Sequence, residues 1–407
     1  MGYQSQALKG VSWVGLLRAF IRGLNFIRTA ILARILSPNQ FGVFGVAALV
    51  LGLVEMLTET GINIVLVQEK NEADIDSKLN TAWVTSIFRG LLIFLVICLS
   101  AYPLSLFFHN SQALPLLLLI SFTPLIRGFI NPAVVKFQKR LRFDQEFFYR
   151  LSFTLVETIV SLTLALTTHS PVSLVWGLTA SALTEVLFSW VFLKPRPRWA
   201  FALAQFKLIF HRGKWVTFAG VVNYLYLNGP DLAIGKLLDT ASLGIYQMAF
   251  RFGYTPIAEV GDISNRVTFP IFVSIAADKV RARRAYYKNT VIMFSLLFPL
   301  TLVLVFWPKF IVNFLLGNQW LAAAPLLPLL GITVLLASLT APASSLLLAI
   351  RRQRQVFLFN LIRTLGLWLV VLPLIQHYGV LGGALALLFA TLLALPYTIY
   401  CIHQALY

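Results

Sequence analysis

Along almost the whole chain, long apolar stretches alternate with short breaks of charged residues, Gly and Pro. Read as helices, the stretches fall near 11–36, 41–67, 80–107, 113–136, 147–168, 171–193, 213–236, 243–275, 289–315, 320–350, 356–376 and 379–402. A membrane-spanning helix takes about 20 apolar residues, so 407 residues with short connections leave room for about twelve spans and no large soluble domain. The expected fold is an all-α polytopic membrane protein.

The breaks are of two kinds. NEADIDSK, KFQKRLRFDQEFFYR, KPRPRWAFALAQFKLIFHRGK, DKVRARRAYYK and RRQR carry Lys or Arg, most of them densely. The alternate set, around SPNQ, FFHNSQ, THSP, DTAS, LGNQ and QHYG, has only Arg34, Lys236 and Lys309 nearby. Lys and Arg mark cytoplasmic loops, so the first set and both termini are expected inside.

Composition sharpens this picture. The chain is 58% hydrophobic and 12% charged with mean hydropathy +0.81, whereas soluble domains carry roughly 25% charged residues. The net charge of +18 becomes a positive-inside signal with attraction for anionic lipid, and no nucleic-acid partner is expected. The first apolar run is too long for a signal-peptide core and ends in no small-residue cleavage site, so it is expected to be retained. Cys98 and Cys401 lie far apart, each inside an apolar run, and suggest neither a disulfide frame nor a metal pattern.

The chain also repeats itself. ILARILSPNQFGVFGVA (31–47) aligns without a gap on AIGKLLDTASLGIYQMA (233–249), and the same register sets Trp13 on Trp215 and Arg22 on Tyr224. Further along, Pro115 meets Pro325 and Pro132 meets Pro342. A duplication predicts two six-helix bundles, 1–194 and 213–407, joined by a cytoplasmic linker at 195–212 whose basic, aromatic face lies on the inner leaflet. An even number of spans between equivalent points gives the halves the same orientation, with a pseudo-two-fold axis along the membrane normal. In transporters built this way, substrate sites lie at the interface between repeats.

Ionisable residues inside the spans are costly and call for an explanation. Arg18, Arg22, Asn25 and Thr29 are spaced so that the last three fall within about 40° of Arg18 on a helical wheel. Arg28 lies off that stripe, and Arg34 is placed to snorkel at the outer end. Arg251, Thr255, Glu259, Asp262 and Arg266 occupy an arc of about 80° in the eighth span. Glu55 and Glu59 sit one turn apart in the second span, and Arg89, Arg127, Glu157, Glu185, Asp231 and Arg363 stand singly. Two readings are open: ion pairs stitching helices together, or a cationic cavity whose Arg side chains grip phosphate oxygens bidentately. Pro256 and Pro270, with Gly253 and Gly261, are candidate bends. Tyr224, Tyr226 and Tyr254 are candidate platforms for sugar rings. Asp231, Glu259, Asp262, Glu55 and Glu59 are candidate coupling carboxylates, equally readable as static partners of the arginines.

ILARILSPNQFGVFGVA, ETGINIVLVQEKN, FQKRLRF, GIYQMAFRFGYTPIAEVGDISNRVTFPIF and LLGNQWLAAAPLLPLL resemble, in order, segments of the polysaccharide transporter (Wzx-type flippase) family. That family falls within the superfamily of multidrug, oligosaccharidyl-lipid and polysaccharide exporters. The resemblance implies two six-helix bundles that flip isoprenoid-pyrophosphate-linked oligosaccharide from the inner to the outer leaflet of a bacterial inner membrane. It also implies cavity-facing arginines at Arg18, Arg22, Arg251 and Arg266, and polysaccharide polymerase and chain-length machinery as candidate partners. No cofactor is implied beyond Na+ or H+ as a candidate coupling ion. Many members carry two further helices beyond the twelfth span, and a role for such helices in docking the lipid tail is not carried over to this sequence.

Three rivals are weighed against this reading. Polytopic polymerases and ligases need a sizeable outer loop and catalytic groups, whereas the outer loops are short and His109, His169, His377, His211 and His403 are isolated. No enzyme activity is expected. A multidrug exporter for cationic drugs suits a negative cavity, and here positive charge is in excess. A peptidoglycan lipid-precursor flippase shares the cationic cavity, so charge alone leaves it open.

Overall fold

The computed structural model describes residues 20–59, 61–62, 66, 72–140, 142–276 and 278–407; the side chains of 72–74, 138, 143, 208–216, 219, 262–267 and 339 are outside this description. Every regular element among the described residues is helical. The chain divides into two compact units between Val221 and Val222.

The first unit contains α1 (20–35), α2 (Pro38–Leu57), α3 (Glu72–Phe107), α4 (Ala113–Ile120), α5 (Phe122–Arg127), α6 (Val135–Lys139), α7 (Phe143–Thr168), α8 (Val172–Phe192) and the start of α9 (Leu203–Leu237). The second contains the rest of α9, α10 (Thr240–Ala249), α11 (Thr255–Ser274), α12 (Lys279–Phe306), α13 (Pro308–Leu315), α14 (Leu326–Ala349), α15 (Gln353–Tyr378) and α16 (Val380–Leu406). Among the described residues, eight helices are long and apolar enough to cross a membrane: α2, 75–107 of α3, 144–168 of α7, α8, α12, α14, α15 and α16.

Large apolar side chains crowd the outer surface, with Leu99 80% and Leu369 74% exposed. Such a surface suits hydrocarbon, because helices satisfy their own backbone and leave apolar side chains to meet lipid. Inside, Leu66, Ile75, Leu79 and Phe137 form a core in the first unit, and Phe272, Leu346, Cys401 and Ile402 one in the second. Both cysteines are free thiols.

The repeat is visible in the caps. Ser37 starts α2 through a capping box: its hydroxyl accepts from Gln40 N and its own N–H donates to Gln40 Oε1 at 2.8 Å. Gln40 Nε2 also donates to the His169 carbonyl at 2.6 Å, holding the α7–α8 turn. The aligned Asp239 starts α10 in the same way, accepting from Ser242 N at 2.7 Å. Replacing Ser37 by Ala is expected to lower stability by about 1 kcal/mol; thermal unfolding of the purified protein checks this, with Gly substitution expected to cost less.

Several predicted spans are redrawn. The span 41–67 stops at Leu57, because Thr58 folds its hydroxyl back onto the Val54 carbonyl and Gly61 turns the chain at φ 65° while donating to Glu59 Oε1. The span 113–136 is broken into α4, α5, a 3-10 turn at Pro132–Val134 and α6. Asn131 makes that break: its side chain accepts from Ala133 N at 3.0 Å and donates to the carbonyls of Leu193 and Pro195. In the second unit the aligned Pro342 stays inside the continuous α14. The span 243–275 becomes α10, a π-turn at Phe250–Tyr254 and α11. Pro256 lacks an amide hydrogen, and a wide turn just ahead of it relieves the lost bond.

Two helices reach further into the basic loops than hydropathy indicated. α12 starts at Lys279, capped by Asp278, which accepts from Arg281 N at 3.0 Å. Long basic side chains tolerate this by extending their heads toward water. Likewise α9 starts at Leu203, inside the stretch read as a linker, and its 35 residues span about 52 Å at 1.5 Å per residue.

Candidate functional site

Charges that stand alone in the sequence are gathered in the first unit around a cavity of about 360 Å³. Arg89 of α3, Arg127 of α5, Tyr149 and Arg150 of α7, Glu185 of α8 and Glu55 of α2 all line it. Arg89 Nη2 lies 3.1 Å from Glu59 Oε2 and donates to the Glu55 carbonyl at 2.8 Å, while its Nε donates to the Thr58 hydroxyl. Arg127 Nε is 3.4 Å from Glu185 Oε2, and the Tyr149 hydroxyl donates to Glu185 Oε1 at 3.4 Å. Arg150 pairs with Glu146 at 2.9 Å.

The packing that shapes this cavity depends on close backbone approach. Gly90 of α3 faces the Pro124 carbonyl, and Gly128 faces the Ser86 carbonyl at the distance where a Cβ would touch it, 3.0 Å. Small residues there bring α3 and α5 together, so Arg89 and Arg127 share one polar space. Glu55 lines that space under the influence of both arginines.

A second ion pair lies apart from the cavity. Arg28 Nη1 is 2.5 Å from Glu157 Oε1, with the side chains 10% and 17% exposed. This explains why Arg28 falls off the α1 stripe: Arg28, Thr29, Leu32 and Ala33 are buried in the first unit, while Arg22 is exposed. The stripe is therefore not one uniform face, since Thr29, placed on it by spacing, is only 2% exposed and donates to the Asn25 carbonyl. Asn25 is half-buried, and Arg18 lies outside the described residues.

Glu157, Glu185 and Glu59 thus have arginine partners on other helices, as the ion-pair reading requires. Glu59 takes Arg89 of α3 as its partner. Sequence reasoning marked Arg89, Arg127 and Glu185 but not their meeting. The usable signal was a lone charge of each sign in neighbouring spans, which in hydrocarbon must find a partner.

In the second unit, Arg251 is exposed on the π-turn, while the adjoining Phe252 and Tyr254 are buried. The π-turn shifts the helical phase of Arg251 relative to α11, so a single 80° arc drawn at α-helical spacing does not run through it. Tyr254 stacks on Phe250 with ring centroids 4.4 Å apart. Tyr224 and Glu259 are half-buried, and Asp231 is 6% exposed in α9 beside Gln247. The side chains of Asp262 and Arg266 lie outside the described set. Among the described residues, no three His, Cys, Asp or Glu side chains come together as metal ligands.

Helices with lipid-suited exteriors and paired charges sunk inside them define a polytopic membrane protein. The chain belongs to the polysaccharide biosynthesis protein family, which it matches over residues 31–325. It is 26% identical over 400 residues to the lipopolysaccharide biosynthesis protein WzxC of Escherichia coli strain K12, covering 97% of this chain and 79% of that one. It is 24% identical over 361 residues to the teichuronic acid biosynthesis protein TuaB of Bacillus subtilis strain 168, covering 87% and 74%. Among solved structures it superposes on the lipid II flippase MurJ in an inward closed conformation with TM-score 0.78 and 16% identity, over 96% of this chain and 89% of that one. An inward-facing multidrug MATE transporter of the MOP superfamily gives 0.75 at 13% identity, over 94% of each. These two likenesses establish the shared fold.

Proposed function

We propose that the protein is a flippase that carries isoprenoid-pyrophosphate-linked oligosaccharide units from the inner to the outer leaflet of a bacterial inner membrane. The observation that carries this reading is the family match over residues 31–325. It is supported by relatives named for lipopolysaccharide and teichuronic acid biosynthesis and by one named as a succinoglycan biosynthesis transport protein. The family match favours a polysaccharide unit over a peptidoglycan precursor or a drug.

In this reading both termini are cytoplasmic, the halves 1–194 and 213–407 rock against one another, and the head group passes between them. The equivalent caps at Ser37 and Asp239 support the duplication behind it. Arg18, Arg22, Asn25, Arg251 and Arg266 receive the pyrophosphate, because bare transfer of a diphosphate into hydrocarbon costs many kcal/mol. Tyr224 and Tyr254 contact sugars. Of the carboxylates considered for Na+ or H+ coupling, Glu59 is committed to Arg89, which leaves Glu55 as the first-unit candidate beside Asp231, Glu259 and Asp262. Polysaccharide polymerase and chain-length machinery would take up the delivered units.

The test is flipping of a fluorescent isoprenoid-pyrophosphate oligosaccharide in proteoliposomes. Arg22→Ala and Arg251→Ala are expected to slow flipping at least about tenfold at equal insertion, the loss of one charge-assisted phosphate contact. Arg34→Ala is expected to flip normally. Wild-type rates in all three would move the head-group site elsewhere, and no flipping by the unmodified protein would remove the lipid-linked substrate.

A further inference from the structure

The second unit holds a smaller cavity of about 210 Å³ between α11, α12, α14 and α15. Arg363 of α15 reaches it from within an apolar helix, with Tyr254, Ser344 and Asn360 also on the lining. The guanidinium carbon stands 4.0 Å from the Tyr226 ring centroid and 5.3 Å from that of Phe359. Its Nε is buried and has no hydrogen-bond acceptor.

This arginine differs from the paired arginines of the first unit. Arg28, Arg89, Arg127 and Arg150 each face a carboxylate. Among the described residues no carboxylate pairs with Arg363, and the buried acid of this unit, Asp231, is engaged by Gln247. The Tyr226 and Tyr254 side chains hydrogen-bond the guanidinium and the aromatic faces attract it, but neutral partners do not supply the counter-charge that a full charge calls for inside a membrane. A positive charge at the wall of a polar cavity, without a fixed counter-charge, is the setting in which a mobile anion supplies the missing partner.

We propose that this cavity is a binding site for a small inorganic anion of the chloride class, held by Arg363. Ser344 and Asn360 supply the neutral donors. The other three hydroxyls on the wall are committed, since Ser338 donates to the Leu335 carbonyl, Thr340 to that of Ala337, and Tyr254 is hydrogen-bonded to Arg363 itself. Asn360 gives one amide hydrogen to the Val356 carbonyl and retains the other. Size agrees with the chemistry: a cavity of about 210 Å³ has room for several water-sized occupants, and so for a partly hydrated halide. The site adjoins the sugar contact proposed at Tyr254, and because its test uses halide alone it remains open to test if the substrate assignment fails.

Chloride-35 NMR line broadening on the purified full chain reads occupancy directly, with sodium gluconate holding ionic strength constant. The wild type is expected to broaden the line in a saturable manner above detergent alone, and bromide to compete. Arg363→Gln is expected to abolish the saturable part, and Ser344→Ala, a mild change, to weaken it several-fold. Absence of saturable broadening in the wild type, or its persistence in folded Arg363→Gln, overturns the proposal. So does an Asp262→Asn protein that binds chloride when the wild type does not, because Asp262 would then be the fixed counter-ion.

Discussion

Arg28→Met is expected to destabilise the protein by about 3–5 kcal/mol, because it strands the Glu157 carboxylate in a dry part of the first unit. The pair is short, 2.5 Å, and both side chains are largely covered. Arg28 Nε finds no acceptor of its own, so Glu157 is the main compensation for its charge. Glu157→Leu alone is expected to cost a similar amount. The double replacement Arg28→Met with Glu157→Leu removes both charges together and is expected to recover most of the loss, since apolar residues of like volume can replace a buried pair. Reversible unfolding of the purified protein in mixed micelles measures all three. A single replacement that costs less than about 1 kcal/mol would mean the pair behaves as an exposed one.

Gly382→Ala is the second large effect expected, about 3 kcal/mol, at the upper end for inserting a methyl group into a filled space. α15 and α16 form a tight hairpin around Gly379, whose φ is 58°. Three residues on, a Cβ at Gly382 would meet the backbone of Leu374 and Ile375, which cannot rotate away as a side chain can. The helices would have to separate, disturbing the packing of the buried small residues that follow, of which Gly383 faces Ile234, Tyr246 and Pro230. Thermal unfolding and protease resistance of Gly382→Ala check this. Gly379→Ala strains the turn without that collision and is expected to cost less. Equal stability of Gly382→Ala and the wild type would show that the hairpin has room to yield.

Both effects come from positions whose importance is hidden in a hydropathy profile. Arg28 differs from Arg22 on the wheel, yet only the burial of α1 shows that one enters the unit and the other does not. Gly382 is one of 24 glycines in the chain, and nothing in its neighbours marks the approach of Leu374. The internal repeat, in contrast, was readable to the residue. The register that aligned 31–47 with 233–249 also aligns the ends of α1 and α9 and the caps Ser37 and Asp239.

The sequence by itself determined that the chain is helical and lives in a membrane, and it displays the internal repeat of 31–47 at 233–249. A bilayer leaves so few ways to satisfy a backbone that runs of apolar residues are enough to specify helices. It also determined the family, through segments spread along the chain. What it left open was the fate of each intramembrane charge and the continuity of each span. Tertiary structure decided that Glu157 meets Arg28, Glu185 meets Arg127 and Glu59 meets Arg89, because pairing depends on which helices are neighbours and how they are rotated. It also decided the breaks at Asn131 and at the π-turn before Pro256. The reason is energetic: in hydrocarbon an unpaired charge or carbonyl is so costly that the chain bends, and helices choose partners, wherever a polar group can be satisfied.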